Sequence, residues 1–95
     1  MVSKASREYM GRVARFPCVL CEALGMPGVP AEVHHLREGQ GTSQRASDYL
    51  TASLCPECHR GPQGVHGDRT LLRVAKLDEM DLLAMTIEKV YRGEK

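Results

Sequence analysis

The run Leu54-Cys55-Pro56-Glu57-Cys58-His59-Arg60, set against Cys18-Val19-Leu20-Cys21 earlier in the chain, decides the fold of this 95-residue protein. Two residues between paired thiolates bend the backbone enough for both sulfurs to reach one ion. Two such pairs supply the four ligands of a closed tetrahedral zinc site. The gap between them, residues 22–54, is longer than that of a usual zinc ribbon and leaves room for a β-hairpin with its loop. The competing readings are two disulfides, or four buried thiols acting as small apolar side chains.

Composition favours the ion. A chain this short buries a small share of its surface, and such domains often need a metal or disulfides. There is no Trp, one Phe (Phe16) and three Tyr (Tyr9, Tyr49, Tyr91), so the aromatic contribution to a core is thin. The amino-terminal MVSKASREYMGRV holds no apolar run of signal-peptide length, and no stretch is long enough to span a membrane. The expectation is a soluble cytoplasmic protein, in a compartment where disulfides are disfavoured. The net charge of +1 says little. Lys4, Arg7, Arg12 and Arg15 against Glu8 make the first segment weakly basic, which suits phosphate contact but reads more simply as a solvated face.

Outward from the cysteines, the chain reads as one α+β domain spanning 1–95, with no repeat and no low-complexity segment. Tyr9, Met10, Val13 and Ala14 recur at helical spacing over about 4–15, and Phe16-Pro17 ends that helix. A breaker-rich stretch, Gly25 to Pro30, follows the first cysteine pair. Ala31 to Leu36 (AEVHHL) predicts a short strand, with Thr51 to Leu54 as its partner. Between them Arg37 to Arg45, containing Gly39-Gln40-Gly41, is polar and a candidate substrate-facing loop. Pro56 suits the start of a helix that Gly61, Pro62, Gly64 and Gly67 keep short. Leu71, Leu72, Val74 and Ala75 predict a further helix. Asp78 opens the last one, with Met80, Leu83, Ile87, Val90 and Tyr91 as its apolar stripe and Gly93 as its stop. Acidic residues in its first turn and Lys89 and Arg92 in its last fit the helix dipole, and no chemistry is assigned to it.

All four histidines, His34, His35, His59 and His66, lie inside or directly after the cysteine framework. His34 and His35 are neighbours on a strand, so they point to opposite faces and are poor candidates to chelate one ion together. Cys58 and His59 are neighbours on a helix and diverge by roughly 100°. Cys58 can therefore serve the structural zinc while His59 turns to a second ion shared with His34 and His66. Open positions for water and substrate would make that second site catalytic.

The string Glu32-Val33-His34-His35-Leu36, Gly39-Gln40-Gly41, Ser47-Asp48-Tyr49-Leu50-Thr51, Leu54-Cys55-Pro56-Glu57-Cys58-His59-Arg60 and Gly64-Val65-His66-Gly67 resembles the HNH (ββα-metal) nucleases. Within them it is most similar to the Ref family (recombination enhancement function), phage-encoded nucleases that act with RecA on DNA. The resemblance covers about half the chain densely. It implies a zinc-stapled ββα-metal core and His35 as general base. It also implies His34, His59 and His66 as ligands of a catalytic divalent ion (Mg2+, Mn2+ or Zn2+). Asp48 stands where it could tether the loop, as an Asn does in many HNH sequences. The activity implied is hydrolysis of DNA phosphodiester bonds to 5′ phosphates and 3′ hydroxyls, in phage or prophage recombination, with a recombinase such as RecA as a partner. Arg37, Arg45 and Arg60 flank the histidines and are candidate phosphate contacts with little base preference. Two other readings compete: a non-catalytic zinc module that binds nucleic acid or protein, and a redox protein using its Cys-x-x-Cys pairs, for which the βαβ context is missing.

Overall fold

A computed structural model of the chain describes residues 3–37 and 46–93. The Gly39-Gln40-Gly41 loop and Arg45 lie outside the described residues. The element order is α1 (Lys4–Arg15), α2 (Val19–Ala23), β1 (Glu32–His35), β2 (Thr51–Leu54), α3 (Pro56–Arg60), α4 (Thr70–Ala75) and α5 (Glu79–Arg92). It is a small α+β arrangement around a two-stranded antiparallel ribbon that pairs His34 with Ala52 and His35 with Thr51. No helix among the described residues is long and apolar enough to cross a membrane.

Local chemistry explains where the helices begin. The Ser3 hydroxyl caps α1 by accepting from the Ser6 amide. Each Cys-x-x-Cys pair wraps a short helix whose cap is its own first cysteine: Cys18 accepts from the Cys21 amide, and Cys55 from the Cys58 amide. Asp78 and Asp81 exchange side-chain to backbone bonds in a reciprocal capping box that opens α5. Gly93 closes that helix at a positive φ of 69° that suits glycine.

The ribbon is covered on both faces, and all four β2 residues are buried. One core gathers the four cysteines with Val19, Leu20, Ala52, Leu54, Val65, Leu72 and Leu82. A second joins α1 to α5 and β1 through Val13, Phe16 and Val90, with Tyr9 and Val33 against it. The apolar contribution is modest, so single truncations are costly. Leu82→Ala, at a fully buried position, is expected to lower the unfolding free energy by about 2–5 kcal/mol, measured by denaturant titration. A loss below about 1 kcal/mol would place Leu82 outside the folding core.

Two expectations shift on contact with the structure. The inward face of α5 is Glu79, Leu82, Leu83, Thr86 and Val90, whereas Met80, Ile87 and Tyr91 from the expected stripe are exposed, Tyr91 by 90%. The reason is that two polar side chains are satisfied inside. Thr86 donates to the Leu82 carbonyl and accepts from the Ser53 amide, and Glu79 meets a histidine described below. In α1, the Arg12 guanidinium donates to the Val90 carbonyl at 3.0 Å, tying the first helix to the last. That basic residue is engaged with its own fold.

Candidate metal centres

The cysteines converge. Cys18, Cys21, Cys55 and Cys58 are all buried, and none is in a disulfide. Cys21 Sγ lies 3.6 Å from both Cys55 Sγ and Cys58 Sγ. That is far beyond a disulfide bond of about 2.05 Å. It is close to the roughly 3.8 Å edge of a tetrahedron built on zinc–sulfur bonds of about 2.3 Å. Amides of Cys21 and Cys58 donate to Cys18 and Cys55 sulfurs at 3.3 and 3.4 Å. A hydrogen bond from the Cys58 thiol, aided by the backbone of Cys21 and Cys55, draws the Cys18 thiol down to about 5. Burial pushes Cys21 up to about 12, and Cys58, donating to Cys18, is also raised. Four sulfurs this close resist ionising together unless a cation sits among them. The cluster could hold zinc.

The second group lies beyond β1. The rings of His34 and His59 are 5.0 Å apart, those of His34 and His66 5.2 Å, and those of His59 and His66 4.9 Å. One nitrogen from each lies within 4.8 Å of the others. The strand and helix arguments account for the separation of roles. Cys58 turns inward from α3 while its neighbour His59 turns to the other imidazoles.

His66 reaches the group because the chain after α3 folds back tightly over it. Val65 and His66 amides donate to Cys58 and His59 carbonyls at 2.8 and 3.1 Å. A Cβ on Gly64 would lie 2.4 Å from the Cys58 carbonyl oxygen, and one on Gly67 would lie 2.2 Å from that of Pro62. Glycine is therefore obligatory for this return, and it replaces the short helical step that otherwise sets two histidines side by side.

Carboxylates hold two of the rings. Glu79 Oε2 meets His34 Nε2 at 2.5 Å, both side chains fully buried. Glu32 Oε2 meets His59 Nδ1 at 2.7 Å. The Arg60 guanidinium, which grips Glu32 at 2.7 and 3.0 Å, and the His59 ring hold that carboxyl down at about 2. His34 Nδ1 is buried and has no hydrogen-bond partner among the described residues. A buried ring nitrogen without a partner, in a ring that packs against two other imidazoles, fits a metal ion. Burial first, then the neighbouring His34 and His59 and the Arg37 guanidinium, lower the His66 pKa and favour the neutral ring that ligation requires.

His35 does not join this trio. Its Nε2 pairs with Asp48 Oδ1 at 2.9 Å, and Asp48 Oδ2 accepts from the Ser6 hydroxyl of α1 at 3.1 Å. Asp48 thus connects His35 to the first helix. Of the expected phosphate contacts, Arg60 is bound to Glu32. Arg37 donates its backbone amide to both Glu79 oxygens at 3.1 Å while its side chain is exposed.

Glu32, Glu79 and Arg69, which sits 3.4 Å from Glu79, carried no assigned role in the sequence. Glu32 is two residues before His34 on one strand face, a period-two signal that could have flagged it. Glu79 gave no local signal beyond its place in an acidic first turn. Comparison of the chain with family models, curated proteins and solved structures returned no match.

Proposed function

We propose that this chain is a metal-dependent DNA endonuclease of the HNH (ββα-metal) type, nearest to the Ref branch, built on a structural zinc held by Cys18, Cys21, Cys55 and Cys58. The observation that supports it most is the pairing of two histidine arrangements across one strand. On one face stand three imidazoles with an orphaned buried nitrogen; on the other, His35 is oriented by a carboxylate. Within the described residues β1 pairs only with β2.

Asp48 accepts a hydrogen bond from the Nε2–H of His35, which keeps that proton, and leaves the Nδ1 lone pair to take a proton from water. That water attacks phosphorus in line with the departing 3′ oxygen. A divalent ion in the histidine trio would neutralise charge on the phosphoryl oxygens and stabilise the leaving group. Imidazole donors suit zinc, nickel and related transition metals better than magnesium. The exposed Arg37 side chain, beside His66, supplies a phosphate contact without base reading. A recombinase such as RecA would then deliver the DNA, since the chain carries no large basic run.

Nicking of supercoiled plasmid with Mg2+, Mn2+ or Zn2+ tests the reading. Metal-dependent nicking that disappears in His59→Ala, with one zinc per chain retained, is the expected result. Absence of nicking under every metal would overturn it in favour of a non-catalytic zinc module.

A further inference from the structure

Among the groups without an assigned role, Glu79 is unusual in its surroundings. It is the first residue of α5, yet its side chain is fully buried. One oxygen meets His34 Nε2, both accept the Arg37 amide, and the Arg69 guanidinium approaches at 3.4 Å. An acidic residue in the first turn of a helix ordinarily stays in solvent and interacts with the dipole. Burying one without a specific partner is costly, so its partners define its purpose. The arrangement ties together β1, the start of α4 and the start of α5 at a single carboxylate.

We propose that Glu79 is a positioning residue for the ion held by His34, His59 and His66, fixing His34 so that Nδ1 is the ligating nitrogen. This rests on reading the trio as an ion site. A neutral imidazole has one N–H and one lone pair, and the bond made by one nitrogen decides what the other offers. A carboxylate at Nε2 accepts a hydrogen bond from an N–H kept there and leaves Nδ1 bare, and Nδ1 is the buried nitrogen that lacks a partner. Glu32 acts likewise on His59 from the opposite side, through Nδ1, so His59 presents Nε2. Glu32 divides its charge with Arg60 and is partly exposed, whereas Glu79 is sealed from solvent. The last helix thereby becomes part of the metal centre, through its first residue.

The test begins on the unmodified protein carrying only the zinc of the cysteine site. Nitrogen-15 spectra of the His34 ring are expected to show the Nε2–H tautomer, with the shift on adding a second equivalent of Zn2+ falling on Nδ1. In Glu79→Gln the amide can donate to Nε2, which drives the proton to Nδ1. The expected result is a reversed or mixed His34 tautomer and about 10–100-fold weaker binding of the second zinc, by calorimetry, with the first zinc retained. A wild-type His34 carrying its proton on Nδ1, or a Glu79→Gln protein with unchanged tautomer and affinity, overturns the proposal. Failure of the wild type to bind a second zinc overturns it together with the ion reading of the trio. Binding that weakens in Glu79→Gln in a protein that never nicks DNA supports the positioning role and removes only the nuclease.

Discussion

A chelator strong enough to strip zinc from Cys18, Cys21, Cys55 and Cys58 is expected to unfold the chain, and zinc is expected to refold it. All four cysteines belong to the largest apolar cluster, and between them they anchor α2, β2 and α3. Apparent binding free energies of structural zinc run to about 10–16 kcal/mol in small zinc modules. Net stabilities of whole domains are about 5–15 kcal/mol. Removing the ion thus takes away a contribution as large as the total. It also leaves four sulfurs packed against each other with no charge to organise them, and the second core, with Phe16 as its one buried aromatic, is small. Far-ultraviolet circular dichroism against chelator, with zinc re-addition, checks the result. Cys58→Ala should show the same loss without chelator. Ligating sulfurs must shed their protons, so acid is expected to release the zinc and alkali to tighten it. A cooperative unfolding transition in zinc-free protein would show that the packing suffices by itself.

The parts of this architecture visible in the sequence are those governed by short-range geometry. Two residues between cysteines, alternation along a strand and 100° per residue on a helix separate Cys58 from His59 and His34 from His35, and the structure divides them the same way. Helix starts were legible for the same reason: Pro56 and Asp78 act within one turn of themselves. What the sequence concealed depends on partners far along the chain. His34 and Glu79 are 45 residues apart and His59 and Glu32 are 27 apart. Neither separation has a period that links them. The inward face of α5 was misjudged because hydropathy assigns Thr86 and Glu79 to solvent. Their hydrogen bonds to Leu82, Ser53 and His34 are what make burial tolerable. Arg12 is a similar case, a cation that hydropathy sends outward and a carbonyl at the end of α5 engages.

Replacing His35 by alanine is expected to lower DNA cleavage by about 10²–10⁴-fold, the usual contribution of a general base, while leaving both metal sites filled. The separation is sharp because His35 is in neither ligand group. Its side chain is partly exposed and bonded to Asp48 instead, so the truncation opens no sealed cavity and costs the fold little. Asp48→Asn should depress cleavage in the same direction. An amide can donate to Nε2, which moves the ring proton to Nδ1 and withdraws the lone pair that accepts from water. Ser6→Ala removes the outer bond to Asp48 Oδ2 and the hydroxyl's local contacts with Ser3, leaves the His35–Asp48 pair in place, and should have a smaller effect. The measurements are initial nicking rates at saturating metal, zinc stoichiometry and thermal unfolding for each variant. A His35→Ala protein that nicks at the wild-type rate would remove the base from the mechanism. One that loses zinc or unfolds would make His35 a structural residue and leave the histidine trio as the whole of the site.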